Sequence, residues 1–331
     1  MAIGSGLGAS LGVAAESTYG TFVTPTRFLE FTKEGLRETK TTSQSGGVAA
    51  GRFAQLSNRR VVTTRAAQGA VDLEVMTRGF GLLIAHILGS SATPVQQAAT
   101  AAYLQSHTLG DNRGKSLTLQ VGRPDTTGTV QDYTYIGCKV MSAEFACETD
   151  GQLTLTVEFD GREASETATF ATPSYATNGL PFHFGQMAVK IGAYGAEAAA
   201  SGVKKWSIKF ERGQDTARFY AGGAGRKDEP IMNDWVKVTG SIEADFVSKA
   251  DFADRFASDA AASLVVEFVG ATIASTYKDT IRFKTPAIFI DGEPTVVEGP
   301  DVLKASWNYT AQFDGTNSLL AIDYLSADTT L

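Results

Sequence analysis

Histidine and cysteine are the side chains most often used for metal binding, proton transfer and nucleophilic chemistry, and this chain has three of the first and two of the second. His86 lies in the apolar stretch FGLLIAHIL, which predicts a helix and a packing role for its ring. His107 falls on an alternating strand and His183 in the turn-like PFHFG, and none of the three has a partner at metal-ligand spacing. Cys138 and Cys147 follow apolar neighbours and are interpreted as small buried hydrophobes. The sequence therefore predicts no catalytic centre, no metal site and no cofactor, and it argues against an enzyme.

The glycine-rich N-terminus imitates a dinucleotide-binding fingerprint. Its glycines are Gly4, Gly6, Gly8 and Gly12. A fingerprint of that kind needs a strand before it, and only three residues precede the first glycine. The first 27 residues are therefore interpreted as a flexible N-terminal arm.

Composition excludes several classes of protein. The chain of 331 residues carries 29 Lys and Arg against 36 Asp and Glu, a net charge of -7 that argues against a general nucleic-acid binder. No apolar run approaches the ~20 residues of a membrane-spanning helix, so no membrane span is expected. The 34 glycines favour many turns over long helices.

Most of the chain alternates between apolar and polar residues with a period of two, which predicts antiparallel strands with one buried face and one wet face. The stretches Val71–Val75 and Ile242–Phe246 show it, and so do Ser116–Val121 and Leu153–Phe159. In Ser116–Val121 the polar residues alternate with leucine and valine and are expected in water. The acidic residues on the wet faces of the first two stretches are Asp72, Glu74, Glu243 and Asp245.

Two stretches predict helices. These are Phe80–Leu88 and Ala250–Ala257, and the second is opened by Ser248 with Asp251 three residues later, a capping-box arrangement. Asp-Gly pairs predict turns between strands. They stand at 150–151, 160–161, 291–292 and 314–315.

The two halves of the chain repeat the same order of predicted elements. In each half a strand leads directly into a helix, then into a second alternating strand, and later into a strand that ends in Phe-Asp-Gly. This order indicates an internal duplication. The predicted parts are an N-terminal arm over residues 1–27, a first unit over 28–165, a linker over 166–182 and a second unit over 183–331.

Blocks spread along nearly the whole chain resemble the tail tube proteins of long non-contractile-tailed bacteriophages. The N-terminal blocks are MAIGSGLGASLGVAAESTYGT and TPTRFLEF. The others are QSGGVAAGR, RRVVTTRAAQGAVDLEV, GKSLTLQVGRP, YIGCKVMSAEFACE, GLPFHFGQ and the final SADTTL. No block is a catalytic signature, so the resemblance lies in the overall sequence.

The resemblance implies a mainly β fold of two tandem β-sandwich or half-barrel units, each with one flanking α-helix, which join neighbouring units into a large β-barrel ring. It implies a virion protein of the phage tail, assembled in the host cytoplasm, whose rings stack into a tube around a DNA channel. With two units per chain, a ring of six units is a trimer. The implied partners are other copies of the chain, tail terminator and tail tip proteins, the tape measure protein inside the tube, and DNA that passes without specific binding.

Within that expectation, acidic and small polar strand faces suit the channel wall, because a wall that does not hold phosphate lets DNA slide. The predicted channel-lining residues are Asp72, Glu74, Glu243, Asp245, Glu158 and Gln312. The first four are expected on adjacent strands, with Val71, Leu73, Ile242 and Phe246 pointing into the core. Ordinary solvated strand faces explain the same alternation.

A basic stretch without sustained alternation predicts a long loop over residues 39–64. The predicted role is contact with the next ring, through Arg52, Phe53, Leu56, Arg59 and Arg60. A flexible solubilising loop and a nucleic-acid-binding segment are the alternatives, and the second is disfavoured because Phe53 is its one aromatic platform.

The alternative function is that of a receptor- or carbohydrate-binding β-module of a tail tip or capsid decoration protein. Such modules present aromatic side chains clustered in loops. Here Trp206, Trp235 and Trp307 are scattered along strand-like segments, which favours the tube subunit.

Overall fold

The structure is a computed structural model that describes residues 4–90, 92–165, 168–249, 252–292, 299–300 and 302–331. The described chain is mainly β, with antiparallel ladders that form a large sheet not closed into a barrel. Two α-helices accompany the strands: α1 is Gly81–Leu88 and α2 is Ala253–Ser258.

The strands of the first half are β1 Ser10–Glu16, β2 Arg27–Leu29, β3 Lys33–Glu34, β4 Arg37–Gln44, β5 Arg60–Glu74, β6 Val95–Gln96, β7 Tyr103–Thr108, β8 Ser116–Pro124, β9 Val130–Glu148, β10 Thr154–Gly161 and β11 Glu163–Ser165. Those of the second half are β12 Met187–Ala193, β13 Ala196–Ala199, β14 Val203–Glu211, β15 Gln214–Asp215, β16 Ile231–Met232, β17 Lys237–Asp245, β18 Ala262–Ala274, β19 Tyr277–Asp291, β20 Lys304–Ala311 and β21 Ala321–Ser326.

Eight strands from both halves form one central sheet. Its order is β3-β5-β10-β9-β14-β17-β20-β19, and β4 extends the outer edge of β5 beyond β3. The halves meet where β9 pairs with β14, in a ladder that runs from Glu148 opposite Lys205 to Ser142 opposite Glu211. Backbone hydrogen bonds therefore join the two halves directly.

Two long strands pass between the central sheet and a second layer. The N-terminal part of β9 pairs with β8, and its C-terminal part pairs with β10 and β14. Strand β19 likewise pairs first with β18 and β21, and then with β20. The ladders shift register beside these crossings, between Leu117 and Leu119 and between Glu158 and Phe159. Irregularities of this kind bend strands from one layer to the next.

The same order of pairing recurs in the two halves. In the first, the chain of neighbours is β3-β5-β10-β9-β8-β1, and in the second it is β14-β17-β20-β19-β18-β12. After β10, β11 pairs with β9, and after β20, β21 pairs with β19. The first half has an additional pair, β6 and β7, which continues the sheet from β21.

One hydrophobic core serves both halves. Phe145 on β9 and Phe283 on β19 pack edge to face with ring centroids 4.8 Å apart, and Trp206 on β14 lies 4.9 Å from the same Phe283 ring. The buried indole N–H of Trp206 donates to the Tyr309 hydroxyl at 3.1 Å, so this large side chain keeps its hydrogen bond in the core. The two halves share this core and are not separately packed.

The flexible N-terminal arm predicted over residues 1–27 is contradicted over Ser10–Glu16, because these residues form the core strand β1. Leu11 and Val13 are buried, and β1 pairs with both β2 and β8. The Glu16 side chain of this strand lies on the face of β8 that was expected in water. Buried Glu16 accepts hydrogen bonds from the hydroxyls of Ser116 at 2.6 Å and Thr118 at 3.0 Å. These bonds satisfy the polar residues that alternation alone places on a wet face.

The two helices differ in their surroundings. Helix α1 matches the prediction and is apolar on all sides, as expected for a buried helix. Helix α2 begins at Ala253 with Phe252 at its N-cap position, so the predicted start at Ser248 is wrong. Ala250 and Asp251 lie outside the described residues. Phe252 is 5% exposed, and its burial fixes where the helix begins.

Two further expectations are corrected by pairing. Asp160-Gly161 is not a turn but the end of β10, where it pairs with β5, and the buried Asp160 carboxylate accepts a hydrogen bond from the Lys227 ammonium at 2.5 Å. The loop predicted over residues 39–64 is largely a β-hairpin, since β4 continues to Gln44 and β5 starts at Arg60. β-Branched residues on both sides of this hairpin favour strands. The connecting loop is residues 45–59.

Burial of His107 makes stability depend on pH. The side chain is 0% exposed, and desolvation lowers its pKa from 6.5 to about 4. The unfolded chain therefore binds this proton at a higher pH than the folded chain does, so stability is full above pH ~6.5 and is lost as the pH falls towards ~4.

The free energy of unfolding of the wild type is expected to fall between about pH 7.5 and about pH 5. We expect this fall to be smaller by about 2 kcal/mol in the His107→Leu variant. Urea unfolding at the two pH values measures this difference. His183→Leu, at an exposed position, is the control. Equal pH dependence in the His107→Leu variant and the wild type would contradict the assignment.

Candidate functional surfaces

One face of the central sheet is a continuous polar surface. Along β5, β10, β9, β14, β17 and β20, buried residues alternate with residues that point away from the core. We call this surface the polar face. Its carboxylates are Asp72, Glu74, Glu144, Glu148, Glu158, Glu211, Glu243 and Asp245, and its lysines are Lys205, Lys209, Lys237 and Lys304. Eight carboxylates against four lysines leave it acidic.

The predicted alternation is confirmed on both strands. Asp72 and Glu74 lie on the polar face, while Val71 and Leu73 are 1% and 2% exposed. On β17, Glu243 and Asp245 flank a buried Ala244, with Ile242 buried before them. Phe246 lies beyond β17 and is half-buried, so its predicted core position is reached only in part.

The two acidic pairs were expected on adjacent strands, but the structure separates them. Strands β10, β9 and β14 lie between β5 and β17, which at ~4.8 Å per strand places the pairs about 19 Å apart. Glu158 lies on β10, and Gln312 is exposed one residue beyond the end of β20. The acidic residues are therefore distributed across the sheet.

Sequence reasoning missed Glu144, Glu148 and Glu211 on the strands where the halves meet. The alternation of Ala143, Phe145 and Cys147 with polar residues was the available signal for the first two. The pairing of β9 with β14, which no local pattern reveals, brings Glu211 beside them.

Two of the four lysines of the polar face, Lys205 and Lys209, lie beside its carboxylates. The Lys205 ammonium is 3.6 Å from Glu243 and 4.0 Å from Glu148, each on a neighbouring strand. Lys209 donates to Glu211 at 2.5 Å, and this hydrogen bond raises the Lys209 pKa. Cations held in this way are partly neutralised within the sheet, so the surface has little capacity to bind phosphate.

Hydroxyl groups hold two of the carboxylates in place. Thr156 Oγ1 donates to Asp72 at 2.7 Å, and Ser142 Oγ donates to Glu158 at 2.8 Å. Both bonds cross from one strand to its neighbour, so the negative charges have fixed positions along β5 and β10.

The hairpin formed by β4, residues 45–59 and β5 carries the most exposed apolar side chains of the described chain. We call it the first hairpin. Phe53 and Val48 are fully exposed near its tip. Arg59 and Arg60 are exposed where β5 begins, and within the described ranges neither guanidinium has a carboxylate within 4 Å. The predicted contact residues therefore lie together on one projecting element.

The remaining chemistry-bearing residues are structural. Cys138 and Cys147 are buried free thiols, and burial raises the pKa of both. His86 is largely packed within α1, and desolvation lowers its pKa to about 4. In the described part of the chain, no three His, Cys, Asp or Glu side chains are grouped to hold a metal ion. Nor does that part contain a helix with the length and apolar character to span a membrane.

Two of the three tryptophans belong to the core, and the third does not. Trp206 and Trp307 are 0% and 1% exposed. Trp235 precedes β17 instead of lying on a strand, and it is 85% exposed. Its neighbours across an open groove include the exposed Phe313.

Comparison with known proteins gives one family. A family model described as phage tail tube protein matches residues 6–311, nearly the whole chain. No curated protein sequence matches the chain significantly.

The acidity of the polar face predicts the response to charge reversal. We expect the wild-type subunit to bind duplex DNA weakly, and Glu243→Lys with Asp245→Lys to strengthen binding by roughly tenfold at low salt, because the change adds cations and releases Lys205 and Lys204 from their partners. Fluorescence anisotropy of a labelled duplex at low and physiological salt measures it.

The control is Glu30→Lys with Asp132→Lys, which makes the same change of charge at exposed positions outside the polar face. Equal binding by the two double variants would mean that net charge, and not the polar face, determines the response.

Proposed function

Because the chain belongs to the phage tail tube protein family, we propose that three copies close into a ring, that rings stack into the tail tube, and that the polar face lines its DNA channel. The open central sheet, with a polar face that is continuous over six of its eight strands, carries this proposal. A tail tube protein is a structural component of the virion tail and assembles with its own copies.

The number of strands supports a trimer. Eight central strands per chain give about 24 strands in a ring of three. At ~4.8 Å between strands the circumference is roughly 115 Å and the diameter about 37 Å before strand tilt widens it. A duplex passes through such an opening with room for side chains.

The repeated pairing order supports two tube units in each chain. Each half contributes four strands to the central sheet, in corresponding order: β3, β5, β10 and β9, then β14, β17, β20 and β19. Three chains with such a duplication make a ring with approximate sixfold symmetry, like a ring of six single units.

The two unpaired edges of the central sheet are the physical reason why the chains would close into a ring. Strands β3 and β4 have no pairing partner on their outer side within the described residues, and the end of β19 beyond Ile288 pairs only with β20. Exposed edges of this kind pair with other chains unless they are covered. Pairing of the β19 end with the β3 edge of the next chain removes both edges.

A channel wall must not retain the DNA that passes through it. The polar face has an excess of carboxylates, and its Lys205 and Lys209 lie against them. Both features keep phosphate unbound. Tail terminator and tail tip proteins would cap the two ends of such a tube, and the tape measure protein would occupy the channel before DNA does.

The tip of the first hairpin is proposed to contact the next ring. Arg52 and Phe53 are exposed there and project beyond the packed subunit. Ordering a loop costs ~1–2 kcal/mol per residue, and burial of Phe53 with pairing of Arg52 to an acidic surface would offset this cost.

We expect cryo-electron microscopy of the assembled protein to show three chains in each ring, with the polar face towards the channel. The reason is the contribution of eight central strands by each chain. A ring of six chains, or a channel lined by the layer that contains β8 and β18, would contradict the proposal.

Replacement of residues 46–55 by a two-residue Asn-Gly turn should leave rings that no longer stack. The change removes Arg52 and Phe53 but retains β4, β5 and the paired edge. Negative-stain images and sedimentation measure it, with Arg113→Ala, an exposed change outside the hairpin, as the control. Tubes of normal length from the shortened variant would place the stacking contacts elsewhere.

A further inference from the structure

The second half contains a hairpin that corresponds to the first hairpin. Strands β14 and β17 continue into the short strands β15 and β16, which pair between Gln214 and Met232. We call residues 212–236 the second hairpin. Strands β5 and β17 run in the same direction in the central sheet, so both hairpins leave it at the same end.

The second hairpin is packed against the first half of the same chain. Lys227 donates to Asp160 at 2.5 Å, and Arg226 donates to Glu163 at 2.6 Å. The backbone N–H of Arg65 donates to the Gly225 carbonyl at 2.9 Å. Residues 225–227 therefore bridge the end of β10 and the beginning of β5.

A second group of polar contacts holds the same hairpin. Lys139 on β9 has a side chain that is 0% exposed, and it donates to Glu229 at 2.6 Å. Desolvation lowers the pKa of Lys139, and the Glu229 carboxylate beside it opposes this shift. Desolvation raises the pKa of Asp160, and the Lys227 ammonium beside it opposes this shift. Lys139, Asp160 and Glu163 form the docking site of the second hairpin, which we call the inner seat.

The second half has an open surface beyond the end of β20. Phe313-Asp314-Gly315 repeats the Phe159-Asp160-Gly161 of the inner seat in sequence, but it forms an exposed turn after β20, whereas Asp160 is paired within β10. Beside it is an open groove of about 1540 Å³. Its lining includes Met232, Trp235, Gln312, Phe313, Ser318 and Leu319. Trp235 is 85% and Phe313 66% exposed, which is unusual for side chains of this size.

We propose that this groove is the outer seat, and that it receives the first hairpin of the next copy of the chain in the same ring. Arg59 and Arg60 take the positions that Arg226 and Lys227 have in the inner seat, with Asp314 as the acidic partner. Val61 and Val62, exposed on the first hairpin, cover Trp235 and Phe313. This inference rests on the proposed function and assigns Arg59 and Arg60 to contacts within a ring.

Charge complementarity supports this occupant. Between Glu38 and Asp72, the first hairpin carries the basic residues Lys40, Arg52, Arg59, Arg60 and Arg65 and no Asp or Glu. Asp234 and Lys237 line the groove 3.6 Å apart, Asp314 follows the lining residue Phe313, and the whole chain has a net charge of -7. Asp314 is exposed and its pKa is lowered by hydrogen bonds from Asn317 and Thr316, so it is an ionised partner for a guanidinium.

Closure of the ring places these surfaces next to each other. The edge of β3 and β4 from one chain would meet the end of β19 from its neighbour, as β14 meets β9 within a chain. The first hairpin would then leave the sheet beside the neighbour's β19, at the end of the sheet where the groove next to β17 and β20 opens. The contact within the chain thus serves as the template for the contact between chains.

A charge-swap experiment tests the proposed pair. Asp314→Lys and Arg60→Glu are each expected to lower the fraction of protein in rings by about tenfold, and the double variant, with the charges exchanged, to restore it. Asp132→Lys, at an exposed position away from the groove, is the matched control. Sedimentation and negative-stain images give the ring fraction, and circular dichroism confirms that each variant is folded.

Rings formed normally by both single variants, or a double variant with no restored ring fraction, would overturn the proposal while the tube function stands. Failure of the wild-type protein to form rings or tubes would instead contradict the proposed function. Indole fluorescence separates the groove from other contacts, because Trp206 and Trp307 are already buried. Assembly is expected to shift the emission of Trp235 to shorter wavelength, and Trp235→Phe to abolish the shift. A shift that persists in Trp235→Phe would also overturn the assignment.

Discussion

Backbone hydrogen bonding at the strand edges is the constraint on which the rest of this structure depends. A strand that pairs on one side leaves a row of N–H and C=O groups on the other, and these groups require partners. Inside the chain, β14 from the second half meets this requirement for the C-terminal part of β9. The shared core, the continuous polar face and the packed second hairpin all follow from that ladder. Within the described residues, the central sheet retains an open edge at β3 and at the end of β19.

Much of the fold is visible in the sequence because strand alternation and helix periodicity are local. Val71 and Leu73 were placed in the core, and α1 was placed to within one residue. The misplaced elements depend on distant contacts. Ser116 and Thr118 are buried because Glu16, about 100 residues earlier, accepts their hydrogen bonds. Asp160 lies in a strand because it pairs with Gln68 on β5 and Lys139 on β9, and the distant Lys227 neutralises its charge. A short-range pattern carries no information about such partners.

The candidate surfaces were predictable to the same extent. Local alternation identifies Asp72 and Glu243 as residues of a wet face, but the order of strands decides that three strands separate them. Composition identifies the first hairpin as basic, and β-branched residues such as Val61 and Thr63 make it a paired hairpin. The exposed Trp235 and the groove beside it arise where the segment before β17 leaves β20, and that divergence has no sequence signature.

The different chemistry of the two seats follows from covalent linkage. At the inner seat the partner is tethered, so its effective concentration is high and constant, and buried charges such as Lys139 and Asp160 are never left without their partners. Removal of one member of a buried ion pair costs about 3–5 kcal/mol, which makes such pairs unsuitable where the partner is absent before assembly. At the outer seat Asp314 is accordingly exposed and held by its own turn. A surface that must exist both alone and in contact is therefore best built from solvated charges with a few exposed aromatic side chains, as Trp235 and Phe313 are here. In the proposed ring, the contacts within a chain are therefore buried permanently, while the contacts between chains keep the solvation that a subunit needs before it assembles.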